Sequence, residues 1–285
     1  MEDLHRQTLD ALKMYNIKAN KSLGQNFLIS EKTVKEIVRV SDVNEDDLVI
    51  EVGPGIGSLT NELIHHAGKV ICVELDEKMI NILNDRFKYS ENVLIIHEDI
   101  LKVNLQQIID NNKKDYKNVK IVANLPYYIT TPIIMKLLEE KIGINSITVM
   151  IQKEVADRLT ALPGDELCGA ITVAVNYYSV PKKVMEVSKE NFIPVPEVDS
   201  TVIKLDILKK PVICVESEKL LFKLVKIAFG NRRKTLLNNI YNAKIINDKT
   251  EIKRMLEELE IGVNRRGETL KLSEYEKLTN YIFRH

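Results

Sequence analysis

A glycine-rich loop near residue 53 is the first segment whose residue types could bind a ligand. Gly53, Gly55 and Gly57 stand directly after an apolar run and directly before a helical pattern. Glycines permit positive φ and let a ligand approach the backbone, and the helix behind them offers free N–H groups. The spacing is GxGxG, and Ser58 stands where a dinucleotide-binding loop has its third glycine. The loop therefore favours a nucleoside without a pyrophosphate, with a plain tight turn as the alternative.

Two acidic residues follow the next two apolar runs. Glu74 ends the second run, where a carboxylate can accept hydrogen bonds from both hydroxyls of a ribose. Asp99 lies just past the third run and can accept a hydrogen bond from the amine of adenine. One such residue is more often a solvated cap, but ligands of open α/β sheets bind at the carboxyl ends of the strands. The glycine loop, Glu74 and Asp99 together predict a site for S-adenosylmethionine.

A rigid turn, Asn124-Leu125-Pro126-Tyr127, follows the fourth apolar run and should lie at the same sheet edge. Pro126 fixes its own φ and biases Leu125 towards an extended conformation. The lone pair of an adenine amine is delocalised into the ring, so carbonyl acceptors from Asn124 and Leu125 would favour the tetrahedral form that attacks. Tyr127 offers a face on which the base can stack. Such a site mainly positions two reactants and needs no metal, although an ordinary Asn-Pro turn is the alternative interpretation.

The periodicity of the chain predicts the sheet that would bring these residues together. Short runs rich in Val and Ile alternate with helical patterns, which indicates a mainly parallel sheet with helices on both faces. The predicted strands are Leu48–Val52, Val70–Glu74, Val93–Ile96, Lys120–Ala123 and Ile147–Ile151, and the predicted helices between them are Ser58–His66, Glu77–Tyr89, Leu105–Asn111 and Thr131–Glu140. Ala170–Ser179 and Thr201–Ile207 are predicted as late strands, and residues up to Val40 as a helical or extended arm.

The pattern changes near Leu208, where strands cease and four amphipathic helices follow. We therefore predict two domains, residues 1–207 and residues 208–285. From Lys209 onward there are 17 Lys and Arg against 10 Asp and Glu; because the whole chain is neutral, the remainder carries −7. A basic terminal unit of this kind is typical of proteins that meet a polyanion, and Arg232, Arg233 and Lys234 are its candidate phosphate ligands. A solvated helical surface is the alternative.

Composition excludes several other classes of protein. The 285 residues are 45% hydrophobic and 29% charged, as expected for a globular protein with a sizeable core. A continuous apolar run of about 18 residues is missing from the sequence, and the N-terminus does not resemble a signal peptide. The three cysteines are far apart and form no CxxC pair, which favours reduced thiols over a metal site. We expect a cytoplasmic protein without a metal or a membrane anchor.

Several motifs occur in an order that is known from one family. They are Gly24-Gln-Asn-Phe-Leu28, the Glu-Val-Gly-Pro-Gly-x-Gly loop, Asn124-Leu-Pro-Tyr-Tyr128, Gln152-Lys-Glu-Val-Ala-Asp-Arg-Leu159, Asn191-Phe-Ile-Pro-Val-Pro-Glu-Val-Asp-Ser200 and Phe229-Gly-Asn-Arg-Arg-Lys-Thr-Leu236. Together they closely resemble the KsgA (RsmA) family of small-subunit rRNA adenine dimethyltransferases, from about Lys21 to Glu268. The chain departs from that family at Cys168-Gly169-Ala170, where an aromatic residue and Gly-Arg-Leu-Ser are usual.

The resemblance implies a Rossmann-like class I methyltransferase fold, with a mainly parallel seven-stranded sheet and a small all-helical C-terminal domain. It implies S-adenosylmethionine as the cofactor without a metal, and we expect a monomer. Its substrate would be two adjacent adenosines in a hairpin near the 3′ end of small-subunit rRNA, in a partly assembled subunit, each receiving two methyl groups. The resemblance assigns the cofactor to Asn26, Leu28, Gly53, Glu74, Asp99 and Asn124, and the target base to Asn124, Leu125, Pro126, Tyr127 and Phe192, with Phe192 stacking opposite Tyr127.

Three alternatives share part of this pattern. A macrolide-resistance-type methyltransferase acting on large-subunit rRNA would have the same cofactor site, but Leu125 and the Phe229–Leu236 motif favour the small-subunit enzyme. A non-catalytic RNA-binding assembly or transcription factor could use the same fold, against which stand the intact Glu74, Asp99 and Asn124. A nicotinamide oxidoreductase is opposed by the GxGxG spacing and by the Asn-Leu-Pro-Tyr turn.

Overall fold

The computed structural model describes residues 4–17 and 24–285, which form two compact units. Within the described ranges, the first unit consists of the chain up to Ala156 together with Lys182–Ile207. The second unit consists of Asp157–Pro181 and Leu208–His285. The second unit thus resumes at Leu208, and it also includes residues 157–181, which the sequence analysis placed in the first domain. The parts of the predicted arm at residues 1–3 and 18–23 lie outside the described residues.

A mainly parallel sheet forms the centre of the first unit. The strands are β1 (Phe27–Leu28), β2 (Asp47–Val52), β3 (Lys69–Glu74), β4 (Val93–His97), β5 (Asn118–Asn124), β6 (Ser146–Gln152), β7 (Ser179–Val187), β8 (Phe192–Ile193) and β9 (Ser200–Ile207). In the described part of the chain, seven of them form one sheet in the order β4-β3-β2-β5-β6-β9-β7. Neighbours from β4 to β6 are parallel, and β9 is antiparallel to β6. The predicted mainly parallel, seven-stranded sheet is thereby confirmed, although the periodicity did not predict strand β7.

The helices follow the strands as the alternating pattern predicts. They are α1 (Leu4–Met14), α2 (Glu31–Val40), α3 (Ser58–Leu63), α4 (Glu77–Arg86), α5 (Leu105–Asn112), α6 (Thr130–Glu139), α7 (Lys153–Thr160), α8 (Ala170–Tyr178), α9 (Glu218–Gly230), α10 (Leu236–Asn242), α11 (Lys249–Glu258) and α12 (Leu272–Arg284). Strands β2 and β6 are buried along almost their whole length, which is why they read as continuous apolar runs rather than alternating ones.

The prediction of a strand over Ala170–Ser179 is wrong, because this segment forms helix α8. The side chains on nearly every face of this helix are buried, so its apolar residues do not form a stripe with helical spacing. A short apolar run of this kind is compatible with either a buried strand or a buried helix. Polar groups start and anchor the helix: the Gly169 N–H donates to Thr172 Oγ1 at 2.9 Å, and Asn176 Nδ2 donates to the Ala161 carbonyl at 3.0 Å. The β-branched residues that favoured a strand are overruled by this packing.

The second unit has a small core of its own between α9, α12 and the turn before α12. Leu221, Leu224 and Ala228 of α9 are buried. Gly267 packs so closely that a Cβ added there would lie 2.4 Å from the Cβ of Ala228. The hydroxyl of the buried Tyr275 donates to the Gly267 carbonyl at 2.9 Å. Among the described helices of the protein, none is long and apolar enough to cross a membrane.

Candidate active site

The glycine loop lies where β2 ends and α3 begins, at the carboxyl edge of the sheet. Gly53, Gly55 and Gly57 all have positive φ, at 63°, 58° and 84°. The loop is anchored to the next strand by the Gly53 N–H, which donates to the Val73 carbonyl at 3.0 Å. A Cβ on Gly57 would lie 2.7 Å from the ring of Phe87, so both the conformation and the packing require glycine there.

Glu74 organises this loop as well as facing the cavity. Its side chain is buried at the end of β3, and one oxygen accepts the N–H of Gly55 at 3.1 Å. The other oxygen accepts the N–H groups of Leu75 and Asp76, both at 2.9 Å. Burial raises the pKa of Glu74, and these three backbone donors act in the opposite direction by favouring the carboxylate. The carboxylate is thus held in place at the edge of the predicted ribose site.

Glu51 is a cavity residue that the sequence analysis did not assign. It is the first residue of the loop motif and is almost fully buried in β2. Thr60 Oγ1 donates to its carboxyl at 2.6 Å, and Cys72 Sγ lies 3.8 Å away. Burial raises the pKa of Glu51 to about 8. The signal that could have revealed it is an acidic residue inside an otherwise apolar strand.

The raised pKa of Glu51 predicts a pH-dependent stability. The folded protein favours the protonated acid, so its contribution is complete below about pH 4.5 and is lost as the pH rises through about 8. Glu51→Gln supplies a permanently neutral side chain. Without cofactor, we expect the variant to melt close to the wild type at pH 5 and several degrees above it at pH 9.

Thermal melts across this pH range test the prediction, with exposed Glu91→Gln as the control for removing one carboxyl group. A constant difference between Glu51→Gln and the wild type would contradict it.

The cavity at this edge carries a set of groups that fits S-adenosylmethionine. The carboxylates of Glu74 and Asp99 line it together with the glycine loop and the apolar side chains of Leu75 and Ile100. Ser58 also lines it, and the buried Ser58 hydroxyl has no hydrogen-bond partner among the described residues, so a ligand could satisfy it. Asp99 additionally accepts the Leu101 N–H at 2.9 Å, which orients its carboxylate.

The described part of the N-terminal arm forms one wall of the cavity. Asn26 and Leu28, the two arm residues that the resemblance assigns to the cofactor, both line it. Gln25 Nε2 donates to Asp76 Oδ2 at 2.8 Å and so joins the arm to the segment after β3. Phe27 packs with Ile56 of the glycine loop in a buried cluster that also includes residues of α4. Sequence reasoning did not find the Gln25–Asp76 contact, because it joins segments that are distant in the chain.

The Asn-Leu-Pro-Tyr turn brings its residues to the same cavity. Asn124, Leu125, Pro126 and Tyr127 all line it, directly after β5. Asn124 Nδ2 donates to the backbone carbonyl of Asn26 at 3.2 Å, which leaves the side-chain oxygen of Asn124 to accept from a ligand. The Leu125 N–H donates to the Met150 carbonyl at 3.1 Å and holds the turn against β6. One amide group can therefore face both the cofactor region and an acceptor amine.

Two neighbouring tyrosines present rings at the cavity. The hydroxyl of Tyr127 lies 2.7 Å from the hydroxyl of the buried Ser200 in β9, which fixes the orientation of the ring. Burial raises the pKa of Tyr127, so this hydroxyl stays protonated. Tyr128 also lines the cavity, and its side chain is 52% exposed. The sequence analysis did not single out Tyr128, although its exposed ring could contact a nucleic-acid base.

The structure does not place Phe192 where the resemblance implied. The side chain is fully buried in a hydrophobic cluster and lies outside the lining of the cavity. Phe192 belongs to β8, which pairs with β1 of the arm so that it stands opposite Leu28. Burying a phenyl ring in this way is strongly favourable, and it leaves no free face on which a base could stack. In this structure Phe192 is therefore not presented to the cavity, and the stacking role implied for it stays a prediction.

The basic triplet lies in the second unit, where its members differ. All three residues are exposed. Arg232 is held by its own unit, because it donates to the Cys168 carbonyl at 3.0 Å and lies 3.6 Å from the carboxylate of Glu268. Arg233 and Lys234 form no side-chain contact of this kind with the described residues. The loop in which this chain departs from the family pattern, at Cys168, thus serves here to position Arg232.

Comparison with known proteins gives the same picture over nearly the whole chain. A profile of the family described as "Ribosomal RNA adenine dimethylase" matches residues 16–278. The chain is 50% identical over 277 residues to "Ribosomal RNA small subunit methyltransferase A" of Alkaliphilus oremlandii, covering 97% of this chain and 96% of that protein.

Solved structures agree in fold. A crystal structure of a dimethyladenosine transferase from Plasmodium falciparum superposes with a TM-score of 0.72 and 26% identity, over 88% of this chain and 95% of that chain. The 23S rRNA methyltransferase ErmE superposes with a TM-score of 0.68 over 90% of this chain and 100% of that chain; its 22% identity shows a shared fold alone. On the match of the family profile and the identity to its members, the chain belongs to the ribosomal RNA adenine dimethylase family.

Proposed function

We propose that this protein transfers methyl groups from S-adenosylmethionine to the exocyclic amines of two adjacent adenosines, in a hairpin near the 3′ end of small-subunit rRNA. The observation that carries the proposal is that one cavity is lined both by Glu74 and Asp99, the carboxylates assigned to the cofactor, and by the turn that begins at Asn124. Half of the aligned residues are shared with a relative named as a small-subunit methyltransferase, which favours that subunit over the large one. We expect a monomer that acts on a partly assembled particle.

The residues of the cavity would divide the work between cofactor and acceptor. Glu74 would hold the ribose, Asp99 the adenine, and the wall from Asn26, Leu28 and Gly53 the remainder of the cofactor. S-adenosylmethionine supplies an activated methyl group, and its sulfur is already a good leaving group. The chain therefore needs mainly to place and polarise the acceptor.

On the acceptor side, the side-chain oxygen of Asn124 and the Leu125 carbonyl would accept hydrogen bonds from the adenine amine, which turns the lone pair of the amine out of conjugation. Tyr127 would stack on the base, and the hydrogen bond between the Tyr127 and Ser200 hydroxyls would keep the ring in the orientation for stacking. Pro126 keeps the turn rigid, so these groups are already oriented before the substrate arrives. We assign the positioning of the base to Tyr127, whose ring lines the cavity.

The test is incubation with labelled S-adenosylmethionine and three acceptors: undermethylated small subunits, large subunits and naked rRNA. We expect label in the small subunit, recovered as dimethyladenosine after digestion. Label in the large subunit would favour the macrolide-resistance type of enzyme. Absence of transfer to any acceptor, from protein that binds the cofactor, would favour a non-catalytic RNA-binding factor.

The three residues of the basic triplet are expected to differ in role, with Arg233 and Lys234 contributing to RNA binding and Arg232 to the stability of the fold. If Arg233 and Lys234 neutralise phosphates, the double alanine variant should bind rRNA with a log affinity that depends less steeply on log salt, by about 0.7–0.9 for each lost contact. Arg232→Ala should mainly lower the melting temperature, because Arg232 is engaged with Cys168 and Glu268. Binding titrations over a range of salt and thermal melts check both. Equal salt slopes for the double variant and the wild type would remove these residues from the RNA site.

A further inference from the structure

Helix α9 carries a stripe of lysines along one face. Lys219, Lys223 and Lys226 are exposed and follow one another at intervals of four and three residues. At 3.6 residues per turn this spacing places them on a single narrow face, in line with the exposed Gly230 at the end of the helix. The stripe spans about 10 Å at 1.5 Å per residue. We call these three residues the α9 lysine stripe.

The stripe carries positive charge that its own unit does not neutralise. Within the described residues, its three ammonium groups form no ion pair, hydrogen bond or ring contact. Some lysines on other helices do have such partners: Lys35 pairs with Glu31, Lys136 with Glu140 and Lys253 with Glu257.

The single acidic residue of α9, Glu218, accepts hydrogen bonds from the hydroxyls of Tyr178 and Tyr177 at 2.6 and 3.3 Å. Its carboxylate is therefore committed to the aromatic cluster of the second unit.

The fold of the second unit determines where the stripe points. The opposite face of α9 is fixed by the burial of Leu221, Leu224 and Ala228, so the lysines cannot turn away from solvent without breaking the core. Directly after α9 come Arg233 and Lys234, which are also exposed and without side-chain partners among the described residues. Five unneutralised cations thus follow one another from the start of α9 to the loop at its end. A run of this kind fits a partner with regularly spaced anionic groups.

We propose that the α9 lysine stripe binds the phosphate backbone of RNA and extends the phosphate-binding surface beyond Arg233 and Lys234. The ammonium groups are flexible point charges, and they suit phosphates better than the planar, bidentate reading of base edges. The stripe would strengthen and orient binding without reading sequence. This inference rests on the proposed function for the identity of the RNA, since the stripe itself indicates only a polyanion.

The experiment compares two variants with the same change in charge. Lys219→Gln/Lys223→Gln/Lys226→Gln removes the stripe, and Lys249→Gln/Lys253→Gln/Lys277→Gln removes three lysines from α11 and α12 as a control. Glutamine has nearly the helix propensity of lysine, and the surface ion pairs lost in the control are weak, so both variants should fold. Binding to unmethylated full-length small-subunit rRNA is measured between about 50 and 200 mM salt.

We expect the slope of log affinity against log salt to become shallower by about 2 for the stripe variant, with at least about a tenfold loss of affinity at the upper salt concentration. The control should follow the wild type. Equal slopes for the two variants would overturn the proposal, as would a stripe variant that binds rRNA normally but loses affinity for the assembled small subunit, because the partner would then be a protein. Methyl transfer by the wild type to undermethylated small subunits, measured in parallel, tests the proposed function separately.

Discussion

Asn124→Ala is expected to lower the rate of methyl transfer by at least about a hundredfold while leaving the affinity for small-subunit particles nearly unchanged. The contact that Asn124 offers matters most as the amine nitrogen becomes tetrahedral, so its loss should appear in the chemical step more than in binding. Most RNA affinity should come from phosphate contacts, which lie on Arg233, Lys234 and the α9 lysine stripe in the proposed arrangement.

The same strand provides a matched control for this variant. Asn118 is at the other end of β5, about 20 Å away along the strand, where its amide donates to Asp47 at 2.8 Å. Asn118→Ala removes the same amide group from the same strand without changing the cavity. It therefore shows how much of the effect of Asn124→Ala comes from lost stability. Transfer rate, particle affinity and thermal melts are measured for both variants. Near-normal methylation by folded Asn124→Ala, or an equal loss of RNA binding, would contradict the role of Asn124.

Glu74→Ala is expected to weaken the binding of S-adenosylmethionine by roughly 1–3 kcal/mol, which is about one to two orders of magnitude in Kd. The predicted loss has two sources. The variant removes the acceptor for the ribose hydroxyls, and it also leaves the N–H groups of Gly55, Leu75 and Asp76 without their partner. The second source is visible only in the folded protein and should make the glycine loop less well positioned.

Calorimetry with S-adenosylmethionine and with S-adenosylhomocysteine measures this loss without relying on catalysis. Glu74→Gln keeps one acceptor oxygen and cannot satisfy all the backbone donors, so its affinity should fall between those of the wild type and Glu74→Ala. A folded Glu74→Ala protein that binds both compounds as tightly as the wild type would remove Glu74 from the cofactor site.

Local patterns were sufficient to predict six of the seven strands of the sheet and the main residues at its edge. Each parallel strand is buried on both faces and therefore appears as a short apolar run, and each run is followed by its helix. The consequence is that Gly53, Glu74, Asp99 and Asn124 had to arrive at the same edge, whatever their separation in the chain. All four line one cavity in the structure. Their individual roles remain predictions, which the variants above address.

Packing decided what local patterns could not. The segment 170–179 has the composition of a strand and forms helix α8, because burial on every side hides the helical period. Phe192 has the residue type of a stacking ring, but pairing of β8 with β1 places it in the core. Arg232 has the residue type of a phosphate ligand and is instead engaged within its own unit.

The sequence by itself determined which functional groups follow the successive strands. They are a glycine loop, two carboxylates and an amide turn made rigid by proline, and each is a short local pattern. Only the tertiary structure decided which ionisable side chains are buried or paired and which are available to a ligand. It buries Glu51 beside Thr60 and so raises the pKa of that acid to about 8. It also leaves the lysines of α9 without a partner among the residues that the structure describes. The physical reason is that pairing and desolvation depend on groups distant in the chain, whose approach no local period encodes.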